Sequence, residues 1–155
     1  MRQFLIHSLI TMTVCVSFSA RAELLGKDKL PEPVVAALYK KHPNAADITG
    51  QGKTHFKQDL YEIHFKEGEE HMIELYRKDG HFFVNAAVID PSGMLPPSTL
   101  DNLKAEFGDH EIKEALLVTN PNGAGEEFDF TIHSGGVDWS VTVDGEGKIV
   151  AKERN

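Results

Sequence analysis

The feature that most constrains this chain is a strict two-residue alternation that occurs twice. Tyr61, Ile63 and Phe65 alternate with Glu62 and His64, and Phe128, Phe130 and Ile132 alternate with Asp129, Thr131 and His133. Successive side chains of a β-strand point to opposite faces, so each run predicts a strand with one apolar and one polar face. The two runs lie at a constant offset of 67 residues, which also matches Gly68 with Gly135, Met72 with Trp139, Gly80 with Gly147 and Phe82 with Ile149. Upstream, Leu30-Pro31 and Leu95-Pro96 open two helical stretches at an offset of 65. Register kept over this length is the signature of internal duplication.

Local signals define each copy. His42-Pro43 and Gly108 end the two helices, because Pro cannot continue a helix and Gly tolerates the conformation that follows one. Ser98 is the expected N-cap of the second helix, with Leu100, Leu103 and Phe107 on its buried face. Turns at Glu67-Gly68 and Ser134-Gly135 would set Ile63 opposite Met72 and Phe130 opposite Trp139. Asp79-Gly80 and Glu146-Gly147 predict one further hairpin in each copy, and shorter strands are expected around Ala46–Lys53 and Glu114–Thr119. The expected fold class is therefore α+β: two tandem repeats, each one helix followed by an antiparallel meander of three or four strands. Residues 23–89 form the first repeat, 90–94 a linker and 95–155 the second. The two copies are expected to pack as side-by-side sheets or as one continuous sheet with helices on one face; the other face would then be open, and in the first repeat it carries Ile73, Leu75 and Val84 beside Glu62 and His64. A mixed strip of this kind on an uncovered sheet marks a partner surface or packs against the other repeat.

Residues 1–22 read as a secretory signal peptide. Arg2 gives a positive start, Phe4 to Phe18 an apolar stretch, and Ala20-Arg21-Ala22 a small-x-small cleavage pattern. Val14 before Cys15 does not fit a lipobox. Cleavage after Ala22 removes the single cysteine and leaves 14 basic against 24 acidic residues, a mature net charge of -10. The product is expected in the periplasm or secreted, without disulfides and without stable membrane insertion. No basic face suits nucleic acid, and a composition of 41% hydrophobic and 26% charged residues is that of a globular chain.

The chemistry-bearing motifs are few. Gly145-Glu146-Gly147-Lys148 lacks the Walker spacing, no Gly-x-Ser-x-Gly elbow is present, and the acidic residues form no recognisable pair. The expectation is a non-enzymatic protein with no cofactor. Placed opposite one another by the Glu67-Gly68 turn, His64 and His71 could share a zinc or copper ion, with Glu62 adding an oxygen. A metal or small-ligand carrier using that face is the alternative to a protein-binding module.

The opening Leu30-Pro31-Glu32-Pro33-Val34-Val35-Ala36-Ala37-Leu38-Tyr39-Lys40-Lys41-His42-Pro43-Asn44-Ala45, with Tyr61-Glu62-Ile63 and the Asp79-Gly80 turn, resembles the PepSY-like family, which is grouped with the beta-lactamase-inhibitor-like fold. The resemblance implies a periplasmic or secreted binding or inhibitory protein that clasps a protein partner with its open sheet face and a hairpin loop. By that analogy the loop is Lys66-Glu67-Gly68-Glu69, and the partner-binding residues are Glu62, His64, Glu67, Gly68, Glu69, Ile73 and Leu75. The lactamase inhibitors of that fold rely on disulfides, which this mature chain cannot form.

Overall fold

The computed structural model describes residues 24–123 and 125–155, so the expected signal peptide and its cleavage after Ala22 lie outside the described residues. A short strand β1 (Leu25–Gly26) and a 3-10 turn lead into helix α1 (Glu32–Lys41). Strands β2 (Ala46–His55), β3 (Gln58–Glu67), β4 (Glu70–Tyr76) and β5 (Phe82–Val88) follow. Helix α2 (Pro97–Phe107) then precedes β6 (Glu111–Thr119), β7 (Glu126–Ser134), β8 (Val137–Asp144) and β9 (Ile149–Arg154).

All nine strands belong to one antiparallel sheet, in chain order from β1 to β9. This corrects the expected α+β class of two tandem helix-plus-meander repeats with three or four strands each: the described residues are mostly β, one sheet with two α-helices. The decisive contact is between β5 and β6, where Ala86, Ala87 and Val88 pair with Val118, Leu117 and Leu116. Two separate sheets would leave four edges of unpaired backbone, and joining β5 to β6 removes two of them.

Both helices lie on the same face of the sheet. Val34 and Leu38 of α1 pack on Ile48, Ile63, Phe65 and Tyr76, while Leu103 of α2 packs on Ala115, Phe128, Phe130, Ile132, Val141 and Val143. Trp139 joins the second cluster, its ring 5.6 Å from Phe107. The helix-free face has its own apolar cluster of Leu60, Leu75, Phe83 and Val118. In α2 the buried residues are Thr99 and Leu103, and Leu100 is exposed. The N-cap is Pro96 rather than Ser98, whose hydroxyl instead donates to the Glu146 carbonyl at 2.7 Å.

The hairpin registers also differ from expectation. Phe65, not Ile63, lies opposite Met72, and Ile132, not Phe130, lies opposite Trp139. The cause is where glycine sits in the turn. Gly68 has φ +65° and is the first of two central residues, with Glu69 second, while Gly135 and Gly136 both have positive φ. Primed hairpin turns require positive φ at the first central residue, which moves each turn one residue along the chain and each pairing by two. Face assignments survive a shift of two; opposite partners do not.

The sheet is strongly curled. From β2 to β7 is five strand spacings, about 24 Å in a flat sheet, yet Lys53 Nζ on β2 donates to Asp129 Oδ2 on β7 at 2.9 Å. The helix-free face is thus folded upon itself. A pocket of about 330 Å³ remains where β2 and β3 approach β8 and β9, lined by Lys53, Thr54, Leu60, Ser140, Thr142 and Lys152 among others.

Candidate functional site

The curl brings charged side chains from β2, β3 and β7 into one buried layer. Lys53 and His55 are alternate residues on β2, Glu62 and His64 on β3, and Glu127 and Asp129 on β7, all on the helix-free face. His55, Glu62 and Asp129 are each at most 2% exposed. Burial of a charge is unfavourable unless it is paired, and here the pairing crosses strands that are distant in the sheet. Lys53 Nζ lies 2.9 Å from Asp129 Oδ2 and 3.4 Å from Glu62 Oε2. His55 Nδ1 lies 3.1 Å from Glu127 Oε2, and the Phe56 N–H donates to Glu127 Oε1 at 3.0 Å. Thr142 donates to Asp129 Oδ1 at 2.7 Å. Gln51 and His64 both reach Glu62 Oε1, at 2.8 and 3.0 Å.

These contacts set the protonation states. Burial disfavours a charged His55, but the Asp129 and Glu127 carboxylates outweigh it and raise its pKa to about 9. Burial likewise opposes ionisation of Asp129, and the adjacent His55 and Lys53 hold its carboxyl well below the usual range. Glu62 is also lowered, its burial overcome by His64, Lys53 and Gln51. Lys53 is raised, its burial overcome by Asp129 and Glu62. At neutral pH Lys53 and His55 are therefore cations, and Glu62 and Asp129 anions.

A second cluster joins α1 to β4 on the opposite face. Glu74, fully buried, accepts from Tyr76 Oη at 2.5 Å and from Lys41 Nζ at 2.6 Å, and lies 3.0 Å from His42 Nε2. His42 Nδ1 reaches on to Glu67 Oε2 at 2.7 Å. The cation of Lys41 also lies 3.8 Å over the Phe82 ring. This cluster anchors the basic C-terminal turn of α1, where positive charge is favoured by the helix dipole.

The residues singled out from the sequence are spread over three environments. Glu62, Ile73 and Leu75 are buried by the chain itself, so the helix-free face is not open at those positions. Ile73 does form part of the floor of a surface notch described below. Glu67 is partly exposed but held by His42, while Gly68 and Glu69 are exposed at the hairpin tip. His64 and His71 are diagonal neighbours rather than opposite, since His64 pairs with Ile73 and His71 with Lys66. Their rings are 5.4 Å apart, and His64 is engaged with Glu62. His71 is exposed.

The group that could hold a metal ion is a different one. One donor atom each from His55, Glu62 and Asp129 lies within 4.8 Å of the other two. Sequence reasoning missed His55 and Asp129. The available signal was charge complementarity on the polar faces, with Lys53 and His55 on one strand and Glu127 and Asp129 on another.

A notch opens in the sheet beside the β3–β4 hairpin. The β4–β5 ladder begins at Ile73↔Ala86, and the β5–β6 ladder ends at Val88↔Leu116. Glu70, His71 and Met72 therefore pair with β3 on one side and, among the described residues, with no strand on the other. The resulting space, about 340 Å³, is lined by Glu70, His71, Met72, Ile73, Asn85, Ala86, Ala87 and Val88. Val88 is 61% exposed.

No helix among the described residues is long and apolar enough to cross a membrane. No family model matches the chain, and no curated protein matches it. Solved structures do match over most of its length. A Bacteroides eggerthii protein described as periplasmic is 16% identical over 81% of this chain and 88% of that one, with a TM-score of 0.49. A DUF2874 family protein from Bacteroides uniformis is 15% identical over 80% and 88%, with a TM-score of 0.48. A BLIP-like protein from Bacteroides fragilis is 16% identical over 81% and 86%, with a TM-score of 0.44.

Proposed function

We propose that this chain is an exported, non-enzymatic protein-binding module that takes an extended, basic segment of a partner into the notch between β4 and β5. The observation that carries the reading is the splayed ladder: residues 70–72 of β4 present backbone groups that, among the described residues, have no strand partner on that side. An exposed strand edge is a template for an added strand, whose main-chain hydrogen bonds give affinity and whose alternate side chains give specificity. Ile73, Ala86 and Val88 supply an apolar floor and wall. Glu69 and Glu70 at the exposed tip, with Glu67 beside them, supply the negative rim that selects a basic segment. The role is of the kind implied by the resemblance to the PepSY-like family, but the surface differs. Gly68 and Glu69 remain in it, while Glu62 and Leu75 serve the interior. A periplasmic or secreted location follows the expected removal of residues 1–22.

The test uses the mature chain and two synthetic peptides with alternating valine, one with lysine and one with glutamate at the other positions. Backbone amide shifts of residues 69–73 and 86–88 should respond to the lysine peptide alone, with an affinity that weakens as salt rises. Reversing two exposed charges, Glu69→Lys with Glu70→Lys, should weaken that peptide at least tenfold. Equal binding of both peptides, or shifts located elsewhere, would refute the reading.

A further inference from the structure

The buried charged layer has a feature that simple ion pairing leaves unexplained. Each of His55, Glu62 and Asp129 uses one side-chain atom for an outer partner and turns its second atom inward. His55 engages Glu127 through Nδ1, Glu62 engages Gln51 and His64 through Oε1, and Asp129 accepts from Thr142 through Oδ1. Of the inward atoms, His55 Nε2 and Glu62 Oε2 are fully buried and make no hydrogen bond. His55 Nε2 is only 3.1 Å from Asp129 Oδ2 but is not aligned to donate to it. Glu62 Oε2 likewise has the Lys53 ammonium 3.4 Å away without hydrogen-bond alignment, and buried polar atoms without a hydrogen bond are rare in folded proteins.

We propose that His55, Glu62 and Asp129 form a divalent-cation site of the zinc class, guarded by Lys53. The donor set is one imidazole nitrogen and two carboxylate oxygens, a combination that zinc accepts. The outer contacts match those of metal sites, where a carboxylate or similar group fixes the ligand's far atom and aims the near one. Glu127 does this for His55, and the Phe56 N–H in turn fixes Glu127. Charge favours the same conclusion. To bind an ion through Nε2, His55 must first release its proton; the carboxylates of Glu62, Asp129 and Glu127 then face Lys53 as the one remaining cation among them, a deficit of two that a dication fills. Zinc–ligand bonds of about 2.0–2.2 Å require donors that now span up to 4.8 Å to draw in by about 1 Å.

Lys53 stands where a guard should. Its ammonium occupies the inner side of Asp129 and Glu62, and the same side chain lines the 330 Å³ pocket. Rotation of its flexible stem into that pocket would vacate the donors and open a path to them. The ion and the lysine thus compete for the same two carboxylates.

The test uses tag-free mature protein and Zn²⁺ as the only probe, with titration calorimetry and thermal unfolding. Wild type should bind one equivalent and gain several degrees in Tm. His55→Gln should weaken binding at least tenfold, whereas His71→Ala should leave it unchanged. Lys53→Met should bind at least tenfold more tightly, and its Tm, lowered without metal, should be restored by Zn²⁺. This last variant decides the matter even if His55→Gln does not fold. A Lys53→Met protein whose Tm ignores Zn²⁺ would overturn the proposal. So would binding that survives His55→Gln and is lost in His71→Ala, which would place the ion on the surface hairpin.

Discussion

Lys53 on β2 and Asp129 on β7 are 76 residues apart in the chain and five strands apart in the sheet, yet their charged groups meet at 2.9 Å. The contact exists only because the sheet curls until its helix-free face closes on itself. The same curl buries Glu62, brings His55 to Glu127, and turns a face that alternation alone would leave open into a second interior.

Asp129 has three partners in that interior, Lys53, His55 and Thr142. Asp129→Ala removes one ion and leaves two buried cationic groups short of a counter-charge. Breaking a buried pair from one side is strongly destabilising, so unfolding in urea should show a loss of about 3–5 kcal/mol.

The Glu74 cluster predicts the acid limb of stability. Burial raises the Glu74 pKa, but Lys41, Tyr76 and His42 outweigh it, so its folded value lies below the ordinary 4.5. A group whose folded pKa is depressed contributes stability that is fully present above the unfolded pKa and is lost as pH falls through the folded one. Wild-type Tm should therefore fall as pH drops below about 4.5, the unfolded value. Glu74→Gln should be less stable at pH 7 and show a shallower decline from pH 5 to 3.

The β2–β3 turn holds its two central residues, Phe56 and Lys57, at φ +50° and +60°. This left-handed region is unfavourable for a residue with a Cβ. Phe56 has a compensating role, since its ring packs on the Leu60, Leu75, Phe83 and Val118 cluster and its N–H donates to Glu127. Lys57 is exposed. Lys57→Gly should stabilise the protein by about 0.5–1 kcal/mol, glycine being the preferred residue at that turn position. Phe56→Gly should destabilise it, and chemical denaturation of both variants separates turn strain from packing.

Gly80 shows where a turn is fitted against a helix. Its φ is +87°, and a Cβ placed there would lie 2.4 Å from the Pro33 carbonyl oxygen in the first turn of α1. Gly80→Ala combines backbone strain with a clash against main chain that cannot rotate away. The expected loss is more than about 1 kcal/mol by thermal or urea unfolding.

What the sequence made legible is local. Pro31 and Pro43 bracket α1, Pro96 and Gly108 bracket α2, and the apolar residues 61, 63, 65, 128, 130 and 132 do face the helices. Turn glycines were visible, but whether Gly68 is first or second in its turn is decided by φ, which residue identity alone does not specify. The sequence left side-by-side sheets and one continuous sheet both open, and nothing in it decided between them, because the β5–β6 ladder involves only three pairs of ordinary apolar residues. The curl was not legible either, since alternation says which side chains share a face and nothing of what covers it. For that reason Glu62, Ile73 and Leu75 read as surface, and His55 and Asp129 did not read as neighbours.

The closure of the sheet through its charged interior is tested most directly by a double-mutant cycle on Lys53→Met and Asp129→Leu, measured by urea unfolding in the presence of a chelator. Non-neighbouring sites add within a few tenths of a kcal/mol, whereas contacting residues couple by up to about 3 kcal/mol. The double variant should be more stable than the sum of the two single losses predicts, with a coupling of about 2 kcal/mol or more. Strict additivity would mean that β2 and β7 do not meet, and that the helix-free face is open after all.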